Sequence, residues 1–129
     1  MQRAVINWYK KNKRDLPWRK TTPWGVLLSE YMLQQTPVSR VLPIWSEWIK
    51  RWPTPRHLSK VKRSDVIKAW GSLGYPTRAL RLHQAATTIA TEYKNKVPNT
   101  LEDLQKLPGI GEYTAAAIYS FAFNKRALV

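Results

Sequence analysis

The chain has 129 residues, enough for one domain with a real core, and 43 % hydrophobic content with 7 Trp and 6 Tyr argues against a disordered polymer. It carries 22 basic against 8 acidic residues, a formal charge of +14, which points to a polyanionic partner. There is no cysteine, so disulfides and thiolate metal sites are excluded within these residues, and no apolar run is long enough to span a bilayer.

Met1 to Arg14 is polar and basic, without the apolar stretch of a signal peptide, and the absence of cysteine fits an intracellular protein. Ala4 to Lys13 reads as a first amphipathic helix, ended before Leu16-Pro17-Trp18-Arg19. Thr22 with Pro23 supplies an N-cap and a first-turn proline, opening a helix through about Gln35. Pro37 to Trp52 places Val38, Val41, Leu42, Trp45, Trp48 and Ile49 at helical spacing, and Pro43 is expected to kink or split it. Pro53 and Pro55 close that helix. Short helices follow over Thr54 to Ser59 and Ser64 to Trp70. Tyr75 to Tyr93 is a long one, with Ala79, Leu82, Ala86, Ile89 and Ala90 on one face. Thr100 with Asp103 resembles a capping box for a helix ending near Lys106, and a last helix runs from about Glu112 to Phe123. No alternating strand pattern competes. The fold class is all-α.

Two segments carry chemistry. In Ser29 to Thr36, SEYMLQQT, one carboxylate, Glu30, sits in an apolar and amide-rich stretch. A carboxyl kept from water resists ionising, so its pKa rises toward the range of a general acid. Read alone, the same residue also fits an acid that snorkels to the surface. In Leu107 to Ala115, LPGIGEYTA, Gly109 and Gly111 allow a tight turn and a close backbone approach. The amides opening the next helix, with its dipole, form an anion site, and Ile110 between the glycines would anchor the turn. An ordinary helix corner with a glycine C-cap is the competing reading. On a chain of this charge, a contact to the DNA backbone is expected.

WYKKNKRDLPWR, LLSEYMLQQTPVSRVLP, AWGSLGYPTRALRLH and LPGIGEYTAAAI, in that order, resemble adenine DNA glycosylases of the MutY type. These belong to the helix–hairpin–helix superfamily, which includes endonuclease III. The resemblance runs from about Trp8 to Val129, with the motif at about 101–123. It implies an N-terminal part of a monofunctional glycosylase, which removes adenine mispaired with 8-oxoguanine or guanine from double-stranded DNA. Glu30 is then the catalytic acid. Trp18, Arg19 and Tyr113 line the base pocket. Gln34, Gln35 and Thr36 read the mispair, and Tyr75 is an aromatic wedge. Leu107, Gly109 and Gly111 hold the DNA backbone.

Tyr113 stands where bifunctional relatives have a lysine, and a phenol cannot form a Schiff base. Pro76 replaces an aromatic residue often found after the wedge. The family's catalytic aspartate would fall beyond Val129, as would its iron–sulfur cysteines and its 8-oxoguanine-reading domain. No cofactor or metal is therefore expected within these residues, and exposed apolar area, marginal stability or assembly with something else is. Other readings are a non-catalytic DNA-binding fragment, a mismatch glycosylase with another base preference, or a truncated product without stable function.

His57 and His83 read as surface or helix-face histidines rather than metal ligands. Trp45, Trp48, Trp52 and Trp70 read as core, and the groups Lys60–Lys62–Arg63 and Arg78–Arg81 as solvated basic faces.

Overall fold

The computed structural model describes residues 17–19 and 21–123. The helix expected over Ala4 to Lys13 lies outside them. Seven α-helices follow one 3-10 turn, Pro17–Arg19: α1 Pro23–Leu33, α2 Val38–Arg51, α3 Pro55–Ser59, α4 Arg63–Trp70, α5 Thr77–Glu92, α6 Leu101–Gln105 and α7 Glu112–Phe123. A second 3-10 turn, Gly71–Leu73, joins α4 to α5. No strand occurs among the described residues.

Helix α1 is the centre of the bundle. Thr22 caps it by accepting a hydrogen bond from the Gly25 amide at 3.2 Å, and Pro23 takes the first position. Trp24 to Ser29, Tyr31 and Met32 are all buried. A helix apolar on every side must be covered on every side, and α2, α5 and α7 do so. The Gly25 carbonyl accepts from Trp45 Nε1 at 2.8 Å and so ties α1 to α2, while a Cβ at this position would collide with Thr21 Oγ1 at 2.5 Å.

On α2 the buried residues Val41, Trp45 and Trp48 follow a helical repeat. Pro43 does not split this helix. It sits on the exposed side, so the one backbone bond it removes is left to water rather than to the core. Trp48 meets Trp52 and Trp70 edge to face, with centroids 4.9 and 5.9 Å away, and Trp24 Nε1 donates to the Trp52 carbonyl at 2.9 Å. The four tryptophans read as core are buried.

Helices α3 and α4 pack on α5, and α6 packs on α7. Asn95, in the left-handed region at φ 63°, accepts from the Arg56 amide at 2.8 Å and so caps the first turn of α3. Thr100 Oγ1 accepts from the Asp103 amide at 3.2 Å, the N-cap half of the expected box. His57 is exposed and pairs with Thr54, and His83 Nε2 meets the Val61 carbonyl at 2.8 Å. No cluster of metal-ligating side chains occurs among the described residues. Apolar exposure is confined to Ile67, Tyr75, Tyr113 and Phe121 among the large side chains described.

Candidate functional site

Glu30 stands near the end of α1, half-buried between the buried Ser29 and Tyr31. The helix therefore fixes the backbone from which this side chain projects, and the residue as a whole is partly open to solvent. Two structures are fastened to this same end of α1.

The first is the hairpin between α6 and α7. The Tyr31 hydroxyl donates to the Pro108 carbonyl, 77 positions later in the chain. Burial pushes the Tyr31 phenol well above its ordinary pKa, against the nearby Arg81 charge, so it stays a donor at neutral pH. Leu107 and Ile110 are buried and anchor the turn, as the sequence suggested for Ile110. Gly109 takes φ +76°, and a Cβ there would stand 3.0 Å from Arg81 Cδ and 3.6 Å from Tyr31 Cε1. Gly111 differs: its φ is ordinary and a Cβ would meet nothing within 4 Å. Its carbonyl accepts from the Ala115 amide at 2.9 Å, which starts α7. The first amides of α7 have no intrahelical acceptor, although the acidic Glu112 shares that turn. Tyr113, in the same turn, is 78 % exposed.

Two stability predictions arise here. Gly109→Ala is expected to cost about 1–2 kcal/mol, the penalty of a left-handed alanine, since the flexible Arg81 stem can move aside. Tyr31→Phe should cost about 1 kcal/mol by leaving the Pro108 carbonyl without its donor. Urea denaturation of each variant measures both.

The second structure is a pair of turns. Gln34 ends α1, Gln35 is exposed with φ +61°, and Thr36 is buried. Beyond α4, Gly71 and Gly74 have positive φ, and Tyr75 follows with φ +53° and 63 % exposure. Left-handed backbone at Gln35 and Tyr75 costs about 1–2 kcal/mol each. One side chain holds both turns.

Arg78, on the first turn of α5, is 6 % exposed, and the reading of it as a solvated basic face is corrected by the structure. Its Nη1 donates to the carbonyls of Tyr31 and Met32, each at 3.1 Å, and of Gln34. Its Nη2 donates to Thr36 Oγ1 at 2.8 Å and to the carbonyls of Leu73 and Gly74 at 3.0 and 3.2 Å. Thr36 Oγ1 in turn donates to the Leu73 carbonyl at 3.0 Å. The guanidinium lies 5.1 Å from the Trp70 ring centre and 5.7 Å from that of Tyr75.

The last turn of α1 has no basic residue of its own, so Arg78 supplies the cation that its carbonyl end favours. Burial lowers the Arg78 pKa, and the Tyr75 phenol opposes the shift. The group stays charged at neutral pH because guanidinium starts so high. A sequence signal for this burial existed. Arg78 is in helical register with Leu82, Ala85 and Ile89, all buried.

Two further expected site residues lie on the 3-10 turn Pro17–Arg19, which packs on α1. Trp18 is in the core, edge to face with Trp45 at 5.6 Å, and Arg19 shares its 3-10 turn. The arrangement thus joins a half-buried acid, a glycine hairpin and two exposed left-handed residues, Gln35 and Tyr75, on one framework.

A helix–hairpin–helix motif matches residues 92–121. The adenine DNA glycosylase of Mycobacterium tuberculosis is 50 % identical over 127 residues, covering 97 % of this chain and 42 % of that protein. The chain is a homologue of the adenine DNA glycosylases. The Mycolicibacterium smegmatis protein of the same name is 53 % identical over 122 residues, covering 93 % of this chain and 42 % of its own length. The chain thus spans less than half the length of these relatives. Among solved structures, a thermostable thymine-DNA glycosylase superposes with a TM-score of 0.83 at 29 % identity, over 95 % of this chain and 58 % of that one. A trapped endonuclease III–DNA intermediate superposes at 0.78 and 22 % identity, over 95 % and 59 %, and shares the fold. With no cysteine in the sequence, these residues do not fit the thiolate set of an iron–sulfur cluster.

Proposed function

We propose that these residues act in a base-excision glycosylase that removes adenine opposite 8-oxoguanine or guanine in duplex DNA. The observation that carries this reading is that α1 bears Glu30 and is tied at that end to the hairpin through Tyr31 and to both probing turns through Arg78. Identity of 50 % to an adenine enzyme, against 29 % to the thymine-DNA glycosylase structure, supports adenine as the base.

The chemistry follows from reach. The target base leaves the stack, and side chains inserted from Gln34, Gln35 and Tyr75 offset part of the lost stacking. Glu30 gives its proton to the adenine ring, the C1′–N bond breaks with its electron pair going to the base, and water forms the C1′–O bond while its released proton returns to the Glu30 carboxylate. Arg19 and Tyr113 border the base, with Trp18 packed behind the turn. Tyr113 cannot trap the sugar as a Schiff base, so the product is an intact abasic strand.

A duplex panel under single-turnover conditions tests this in a polypeptide of the relatives' full length. Adenine opposite 8-oxoguanine or guanine should be excised, and thymine opposite guanine should not. Release of thymine in preference to adenine would contradict the reading.

The hairpin offers a separate test. Nothing in the fold requires glycine at 111, so Gly111→Ala should leave stability within about 0.5 kcal/mol. If DNA approaches the backbone there, duplex affinity falls while the melting curve does not move. Unchanged affinity by fluorescence anisotropy would remove Gly111 from the DNA contact.

A further inference from the structure

We propose that Arg78 is a positioning residue that sets the two probing turns as one unit, so that Gln35 and Tyr75 enter the duplex together. The inference rests on the reading of those turns as DNA probes.

The geometry is specific. Gln34 O and Gly74 O, both accepting from Arg78, belong to the peptide groups that lead directly into Gln35 and Tyr75. Those are the two left-handed residues at φ +61° and +53°. One guanidinium therefore fixes the peptide plane on which each exposed probe is mounted. Thr36 Oγ1 closes the bridge, accepting from Nη2 and donating to the Leu73 carbonyl. The planar fork matters: its two terminal nitrogens, held in fixed directions, serve acceptors from two chain segments at once, while the buried Nε–H has no partner among the described residues. Lysine could reach one turn or the other. Arg78 is buried and does not itself present its charge to a phosphate. Its effect on DNA must pass through the turns.

Insertion and binding can be separated in the whole protein. The probe is a duplex with 2-aminopurine opposite guanine, which brightens when unstacked, and an end label whose anisotropy reports binding. Arg78→Met should leave affinity within about threefold, since phosphate contacts are made elsewhere. The brightening at saturating protein should fall by about fivefold or more, as probes displaced by an ångström no longer fit. Arg78→Lys should recover only part of it. A purely structural role would lower the competent fraction and hence affinity, yet leave the brightening at saturation unchanged, and that result overturns the proposal.

If Arg78→Met does not fold by circular dichroism, Thr36→Val removes the bridge while keeping the charge. It should dim the saturated signal, and an unchanged signal again overturns the proposal. Gln35→Ala and Tyr75→Ala test the underlying reading. If both keep full brightening, the turns are not probes and the proposal falls with them. If both dim it and Arg78→Met does not, only the positioning role fails.

Discussion

Glu30→Gln is expected to lower adenine excision by about a hundred- to ten-thousand-fold, the usual worth of a general acid. Glutamine keeps the shape and the polarity but has no proton to give at neutral pH. The position on α1 is held by buried neighbours on both sides, so the exchange does not disturb packing. Duplex affinity should stay within about threefold, since the lost interaction acts in the transition state and not in the ground state. Single-turnover excision and anisotropy on the same variant separate the two effects. Full excision by the Glu30→Gln variant would take Glu30 out of the acid's role.

Trp48→Ala should be the most destabilising single change in the described core, at about 3–5 kcal/mol. Trp48 is 1 % exposed and touches Trp52 and Trp70 edge to face. Its Nε1 also faces the Ala69 carbonyl at 3.4 Å, so α2 and α4 meet largely through it. Against a typical domain stability of about 5–15 kcal/mol, that loss is a large share. Urea denaturation followed by far-ultraviolet circular dichroism measures it. Trp48→Phe should recover most of the loss, because the ring contacts remain while only the weak donor is gone. A melting midpoint for Trp48→Ala equal to the parent's would contradict this account of the core.

Much of the fold was legible because its helix starts are written in local chemistry. Thr22-Pro23, Thr54-Pro55 and Thr100 each cap a helix by accepting from a backbone amide, a bond that spans only three residues. The glycine hairpin likewise announced α7 at Glu112. The expectations miss by two residues where the chain turns left-handed. The helix opened by Thr22-Pro23 is expected to reach about Gln35 and ends at Leu33, and the long helix is expected from Tyr75 and begins at Thr77. Neither Gln35 nor Tyr75 carries a residue-type signal for positive φ. Both are held there by Arg78, which is 43 positions from one and 3 from the other.

Arg78 itself was misread because a cation in a basic chain defaults to the surface. Its acceptors lie in residues 31–36 and 73–74, and no local pattern brings those segments together. Only its register with Leu82 and Ile89 hinted at burial. Motif alone singles out Glu30, Gln35, Tyr75, Gly109 and Gly111. The side chain that joins them was legible only in three dimensions.

The most direct measurement is the identity of both products from a duplex with one adenine opposite 8-oxoguanine, read by mass spectrometry before any alkali. Free adenine and an unbroken strand with an abasic site are expected, with no adduct trapped by borohydride. A nicked strand with a trapped protein–DNA adduct, or release of another base, would contradict the proposed function.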